Sequence, residues 1–225
     1  MDITDNRDRK FKEVISKRQL DLTVVLENVH DPHNIGAVIR SCDAIGVSEI
    51  YVLYTEGNVT EEEFRIGKSS STGVGKWIDI HFYTDHQKCF QILKDKYTNI
   101  LATDWHDEAQ SIYEIDLSIS TALVFGNEHD GVSTETLNQS NGIIVIPQMG
   151  MAQSLNISVA CAVCLFEAMR QRLKSGKYNS EFSPENSSHK LQYENFLKAH
   201  HEPRMNKMKT RKLQKLSIEN QQENP

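Results

Sequence analysis

Three polar, turn-rich stretches hold the residues of this chain that could do chemistry. In "ENVHDPHNIGAVIRSCDAIGV", residues 27–47, a strand-like run ends and Pro32 bars helical angles for the residue before it, so that Asn34 falls where a helix N-cap belongs. At 100° per residue, Ile35, Val38, Ile39, Cys42 and Ile45 share one stripe and Arg40 lies roughly opposite, pointing away from whatever that stripe packs on. Alone, Asn34 reads better as a cap and Arg40 as a solvated charge. In "LVFGNEHDGVS", residues 123–133, Gly126 and Gly131 flank Glu128 and allow a backbone to approach a ligand closely. This is not a dinucleotide fingerprint, because no GxGxxG follows a strand. In "IPQMGMAQSLNISVACAV", residues 146–163, Met149, Gly150 and Met151 precede Ser154 and Asn156 at a helix start, where one cap residue would suffice. Two amides, a hydroxyl, one carboxylate and one guanidinium form a set suited to holding and orienting a polar ligand.

Such groups need elements to position them. Six β-rich runs recur, at 22–28, 49–54, 77–83, 99–104, 121–125 and 143–147, most of them apolar on both faces. Helical periodicity fills 34–45, 60–68, 85–96, 133–139 and 154–174 between them. The pattern predicts an α/β fold, a mainly parallel six-stranded sheet with helices on both faces and the three polar turns at strand carboxyl ends, around one crevice. A helix is expected over 5–19 with Phe11, Val14 and Ile15 on one side, a polar linker after Gly176, and two short basic helices within 192–200 and 203–216. The expected division is a basic helix at 1–19, a catalytic body at 20–175, and a linker with a basic extension at 176–225.

Charge is unevenly spread. The net −6 divides into +2 over 1–18, −14 over 19–167, +8 over 168–217 and −2 at the end, the pattern of an acidic body that grips a polyanion with basic ends or simply carries solvated terminal helices. No apolar run reaches the roughly 20 residues of a membrane span, and the charged start "MDITDNRDRK" lacks a signal-peptide core, so a cytoplasmic address is expected. Cys161 and Cys164 sit inside a helical pattern, not at its start where a redox pair gains its low pKa, so packing is the expected role. His30 and His33 lack further ligands at metal spacing and read as turn residues; no metal is expected. Tyr51, Trp77 and Trp105 either stack bases or pack strand ends.

The three stretches, in order, resemble the motifs of the knotted SpoU (SPOUT) class of RNA 2′-O-ribose methyltransferases: "NVHDPHNIGAVIRSCDAIGV", "FGNEHDGVS" and "IPQMGMAQSLNISVA". The lead-in "KRQLDLTVVLENV" and the follow-on "LFEAMRQRLKSGKY" narrow the resemblance to TrmH-type tRNA guanosine-2′-O-methyltransferases, over about residues 7–178. It implies a C-terminal trefoil knot, which general topology rules would reject, a homodimer through the knot helices, and S-adenosylmethionine as cofactor. The cofactor-binding positions would be Thr103, Gly126, Ile146, Met151 and Leu155, with the Met149–Met151 loop bent around the cofactor and Gly150 giving it room. The catalytic set would be Arg40, Asn34, Glu128, Ser154 and Asn156, and the tRNA contacts Arg7, Lys10, Arg18, Arg170 and Arg172. The expected reaction is methylation of a D-loop guanosine at tRNA position 18. A ribosomal RNA methyltransferase and a non-catalytic knotted RNA-binding protein are the alternatives. His129 and Asp130 depart from the family's pattern, in which a lysine and an aromatic or small residue are usual.

Overall fold

Strand β1 (Leu22–Glu27) is buried along its whole length. Its alternation explains why both faces are apolar: Leu22, Val24 and Leu26 enter one core and Val25 the opposite one. Parallel neighbours repeat that arrangement. The others are β2 (Glu49–Leu53), β3 (Asp79–Tyr83), β4 (Asn99–Thr103), β5 (Gln110–Ser111), β6 (Thr121–Phe125) and β7 (Gly142–Val145). The computed structural model describes residues 3–57 and 74–201. Among these residues, the strands form one parallel sheet in the order β3-β2-β1-β6-β4-β7-β5.

The sheet thus has seven strands, not the expected six. The added strand β5 pairs only with β7, through Gln110 and Ser111 opposite Ile144 and Val145. Two polar residues held by backbone bonds at a sheet edge leave no periodicity to read in the sequence.

Helices cover both faces. On one, α2 (Pro32–Ile45) and α5 (Ile157–Lys174) pack together, with Val38, Ile39, Cys42, Cys161, Cys164 and Leu165 in a shared core. On the other, α3 (His86–Lys96) supplies Cys89, Phe90 and Leu93, and α4 (Thr134–Gln139) adds Leu137. Burial pushes the Cys164 thiol up to about 12 and the Cys161 thiol well above its ordinary value, so this pair is packing material. The helix expected over 60–68 and the basic helix expected over 203–216 lie outside the described residues.

The described residues divide into two compact units, one within 16–181 and a smaller one of 3–15 with 182–201. In the smaller unit, α1 (Asp5–Ser16) lies against α6 (Ser187–His201). Phe11 meets Phe196 edge-on at 5.3 Å, Tyr193 donates its hydroxyl hydrogen bond to Asp8, and Lys12 sits over the Phe182 and Tyr193 rings. Helix α6 begins at Ser187, inside the stretch read as linker, because Asn186 accepts from the amides of Ser188 and His189 and starts the helix early.

Candidate active site

The loop after β6 is built around a glycine with no room for a side chain. A Cβ on Gly126 would stand 1.8 Å from the Gly131 carbonyl oxygen. Asn127 and Gly131 exchange backbone hydrogen bonds of 3.1 Å across the loop, and the Asn127 side-chain oxygen accepts from the amides of His129 and Asp130, both at 2.8 Å. Gly131 turns the chain with a φ of +69°. The loop then enters α4 through Ser133, whose amide and hydroxyl both donate to the buried Glu27 carboxylate at the end of β1, at 2.9 and 2.6 Å. Glu27 therefore pins this loop to the sheet, a role the sequence reading missed although the residue opens its first motif.

After β1 the chain turns at Asn28, which takes a φ of +52°. Asparagine tolerates that left-handed conformation, and its side-chain oxygen accepts from the Thr55 amide at 2.9 Å to hold it. The cap of α2 is Asp31, which accepts from the His33 amide at 2.8 Å, with Pro32 as the first helical residue. Asn34 is thus not the cap expected from its position. Freed from that role, its buried amide donates to Glu128 Oε1 and accepts from Asn156 Nδ2 at 3.1 Å.

Asn156 is itself the cap of α5, accepting from the Ser158 amide at 2.9 Å and the Ser158 hydroxyl at 2.6 Å. One polar chain therefore runs Ser158–Asn156–Asn34–Glu128 and ties three segments together. Ser158 was not singled out from the sequence, although two hydroxyls flanking Asn156 are visible there.

Beside this chain opens a cleft of about 690 Å³, lined by Thr103, Asp104 and Trp105 at the end of β4, 125–131 at the end of β6, Ile144, Val145, Ile146 and Gln148 at the end of β7, and 153–157 leading into α5. Of the expected catalytic and cofactor positions, it is lined by Thr103, Gly126, Glu128, Ile146, Ser154, Leu155 and Asn156, with Asn34 bonded to two of them. Thr103 uses its hydroxyl to bond Val124 O at 3.0 Å, which fixes β4 to β6 at the cleft floor. Apolar walls from Phe125, Ile146 and Leu155 with acids at the rim match a ligand that joins a flat ring to a cationic centre.

The segment that builds this cleft coincides with what known proteins share. The model of the SpoU rRNA Methylase family matches residues 21–166. A tRNA (guanosine(18)-2′-O)-methyltransferase of Thermus thermophilus is 44% identical over 176 residues, covering 78% of this chain and 88% of that protein. This chain belongs to the SpoU methylase family. Among solved structures, the Aquifex aeolicus TrmH/SpoU tRNA modifying enzyme aligns with a TM-score of 0.72 at 36% identity, covering 84% of this chain and 94% of the other. An AdoMet-bound rRNA methyltransferase from Sinorhizobium meliloti aligns at 0.60 and 28% identity, over 68% and 57% of the two chains.

Two of the positions expected from SpoU proteins stand apart from the cleft. Arg40 is exposed on the outer face of α2, about 9 Å along the helix axis from Asn34. Met151 is fully exposed, Met149 is 94% exposed, and a Cβ on Gly150 would meet nothing within 4 Å.

The five expected RNA contacts divide sharply. Arg18 is buried, donating to the Val47 and Trp77 carbonyls and to Asp43, and burial lowers its pKa. Arg172 has no exposed surface and donates to Asp21, Gln19 and the Leu117 and Ile119 carbonyls. Both are internal cross-links, Arg172 with its Nε and both terminal nitrogens all bonded to acceptors, so neither presents its charge to a phosphate. A buried guanidinium needs such a full set of acceptors. Arg170 is exposed and paired with Glu167 through two 2.8 Å bonds, and Lys10 with Glu13 at 3.2 Å; Arg7 lies 5.3 Å from the Phe11 ring. His30 stacks on Tyr54 at 5.2 Å, as a turn residue would, and Tyr51 is core.

Proposed function

We propose that this SpoU protein transfers the methyl group of S-adenosylmethionine to the ribose 2′-hydroxyl of a tRNA guanosine, the one at position 18 in the D-loop. The observation that carries the reading is the glycine-floored cleft at three strand ends, joined to the Asn156–Asn34–Glu128 chain, in a chain 44% identical to a relative named for that reaction. Bound cofactor supplies an activated methyl on a sulfonium. Thr103, Gly126, Ile146 and Leu155 would hold it, Met151 being added only by the resemblance. The carboxylate of Glu128 complements its positive charge, while Ser154 and Asn156 orient the ribose. The protein's task is chiefly positioning, plus removal of one proton.

The reading includes the family's C-terminal trefoil knot, supported by the convergence of the loops after β6 and β7 on one cleft. It includes a homodimer formed through α5, whose Val159, Phe166 and Leu173 recur every seven residues and are 48%, 52% and 51% exposed. An apolar stripe of that kind is usually covered by a partner. Phosphates of tRNA, in the cytoplasm, would meet Arg7, Lys10 and Arg170.

Arg40 has two possible duties. A guanidinium holds its proton to above about pH 12, which makes it a poor base and a good phosphate clamp. Arg40→Ala abolishes turnover in either case. Arg40→Lys separates them: a base leaves partial activity that climbs with pH, whereas a clamp gives a low, flat profile.

The function itself is tested by mapping 2′-O-methylated nucleotides in unmodified tRNA incubated with the protein and S-adenosylmethionine. Methylation at guanosine 18 is expected. Methylation confined to ribosomal RNA would overturn the assignment.

A further inference from the structure

Trp105 stands at the carboxyl end of β4, two residues past Thr103, in the wall of the cleft, yet it is 71% exposed. The packing role open to it from sequence is therefore not the one it has. An indole kept in water at a cleft mouth offers a flat face to whatever enters. The turn beneath it is held: Asp104 N donates to Ile144 O at 3.2 Å, Trp105 N to Asp104 Oδ1 at 2.8 Å, and Ala109 N to His106 O at 2.9 Å.

The cleft that Trp105 lines is acidic, with Asp104, Glu128 and Asp130 also in its lining. Asp104 Oδ1 lies 3.7 Å from where a Cβ on Gly131 would stand, so the turn after β4 faces the turn after β6. Such a lining repels phosphate but not a neutral ring. Guanine alone among the four bases carries two adjacent donors, N1–H and the N2 amino group, on its pairing edge. A carboxylate beside a stacking face therefore favours guanine.

We propose that Trp105 is the platform on which the base of the methylated nucleotide stacks, with Asp104 and Asp130 beside it accepting from the donor edge of guanine. The proposal rests on the methyl-transfer reading of the cleft. It makes Trp105 a positioning residue for the RNA, with no part in holding the cofactor.

The test uses a Trp77→Phe variant, in which Trp105 is the remaining tryptophan, titrated first with S-adenosylhomocysteine and then with an unmodified tRNA transcript. Emission should stay unchanged with the first and be quenched by the second. Trp105→Ala should raise the KM for tRNA about ten-fold or more while the affinity for S-adenosylhomocysteine is unchanged, and Trp105→Phe should stay within about three-fold of wild type. A quench that saturates with S-adenosylhomocysteine alone would reassign the platform to the cofactor's adenine. A KM for Trp105→Ala equal to that of wild type would end the proposal alone. No calorimetric heat from wild type with S-adenosylhomocysteine would remove the methyl-transfer reading, and this proposal with it.

Discussion

At the scale of single residues, Asn34 joins two segments because Asp31 takes the capping duty and Pro32 starts the helix. Its donor faces Glu128 and its acceptor faces Asn156, so replacing the amide by a carboxylate reverses one of the two contacts. Asn34→Asp places two carboxylates within hydrogen-bond reach, and one must bind a proton or withdraw. The expected outcome is a fall in kcat of about a hundred-fold, the scale of a misplaced reacting group, with little change in S-adenosylhomocysteine affinity. Single-turnover rates and calorimetry would check it, and wild-type turnover would remove Asn34 from the machinery. The residue types of this network were legible in the sequence. The capping assignment was not, because Asp31 and Asn34 are both good caps and only the backbone path after Asn28 selects between them.

Elements make demands of their own. The turn after β6 closes so tightly that Gly126 faces the backbone of Gly131, and a methyl group there must push one strand of the turn aside. Gly126→Ala is expected to cost about 1–3 kcal/mol of stability, as overpacking does, and to abolish S-adenosylhomocysteine binding. Denaturant midpoints and calorimetry would measure both, and unaltered binding would show that the turn does not floor the site. Helix α5 makes the opposite case, since Phe166 is half exposed and contributes little to its own chain's core. If the proposed homodimer forms through this helix, Phe166→Glu should leave helical content unchanged and convert that dimer into a monomer in sedimentation. An unshifted sedimentation coefficient would place the interface elsewhere. Six of the seven strands announce themselves as apolar runs, whereas β5 exists only because β7 offers it an edge.

Across the whole molecule, stability at low pH should follow a network at the sheet's far end. Burial raises the pKa of Glu49, but hydrogen bonds from His81, Tyr97 and Lys96 outweigh it and hold the carboxyl at about 2. A folded-state pKa below the ordinary 4.5 means the contribution is complete above about 4.5 and is lost as pH falls towards about 2. Urea unfolding of Glu49→Gln should therefore show a flatter decline across that window, by on the order of 1–2 kcal/mol once partial solvent screening is allowed for. An identical decline would remove Glu49 as its source. What the sequence alone determined was the kind of molecule: buried strands alternating with amphipathic helices force a parallel sheet, and three polar turns at strand ends force one crevice. Tertiary structure decided which charges are available. The family resemblance implies tRNA contacts at Arg18 and Arg172, yet both are internal cross-links because distant carbonyls and acids converge on them. That convergence depends on long-range chain packing, which local periodicity does not encode.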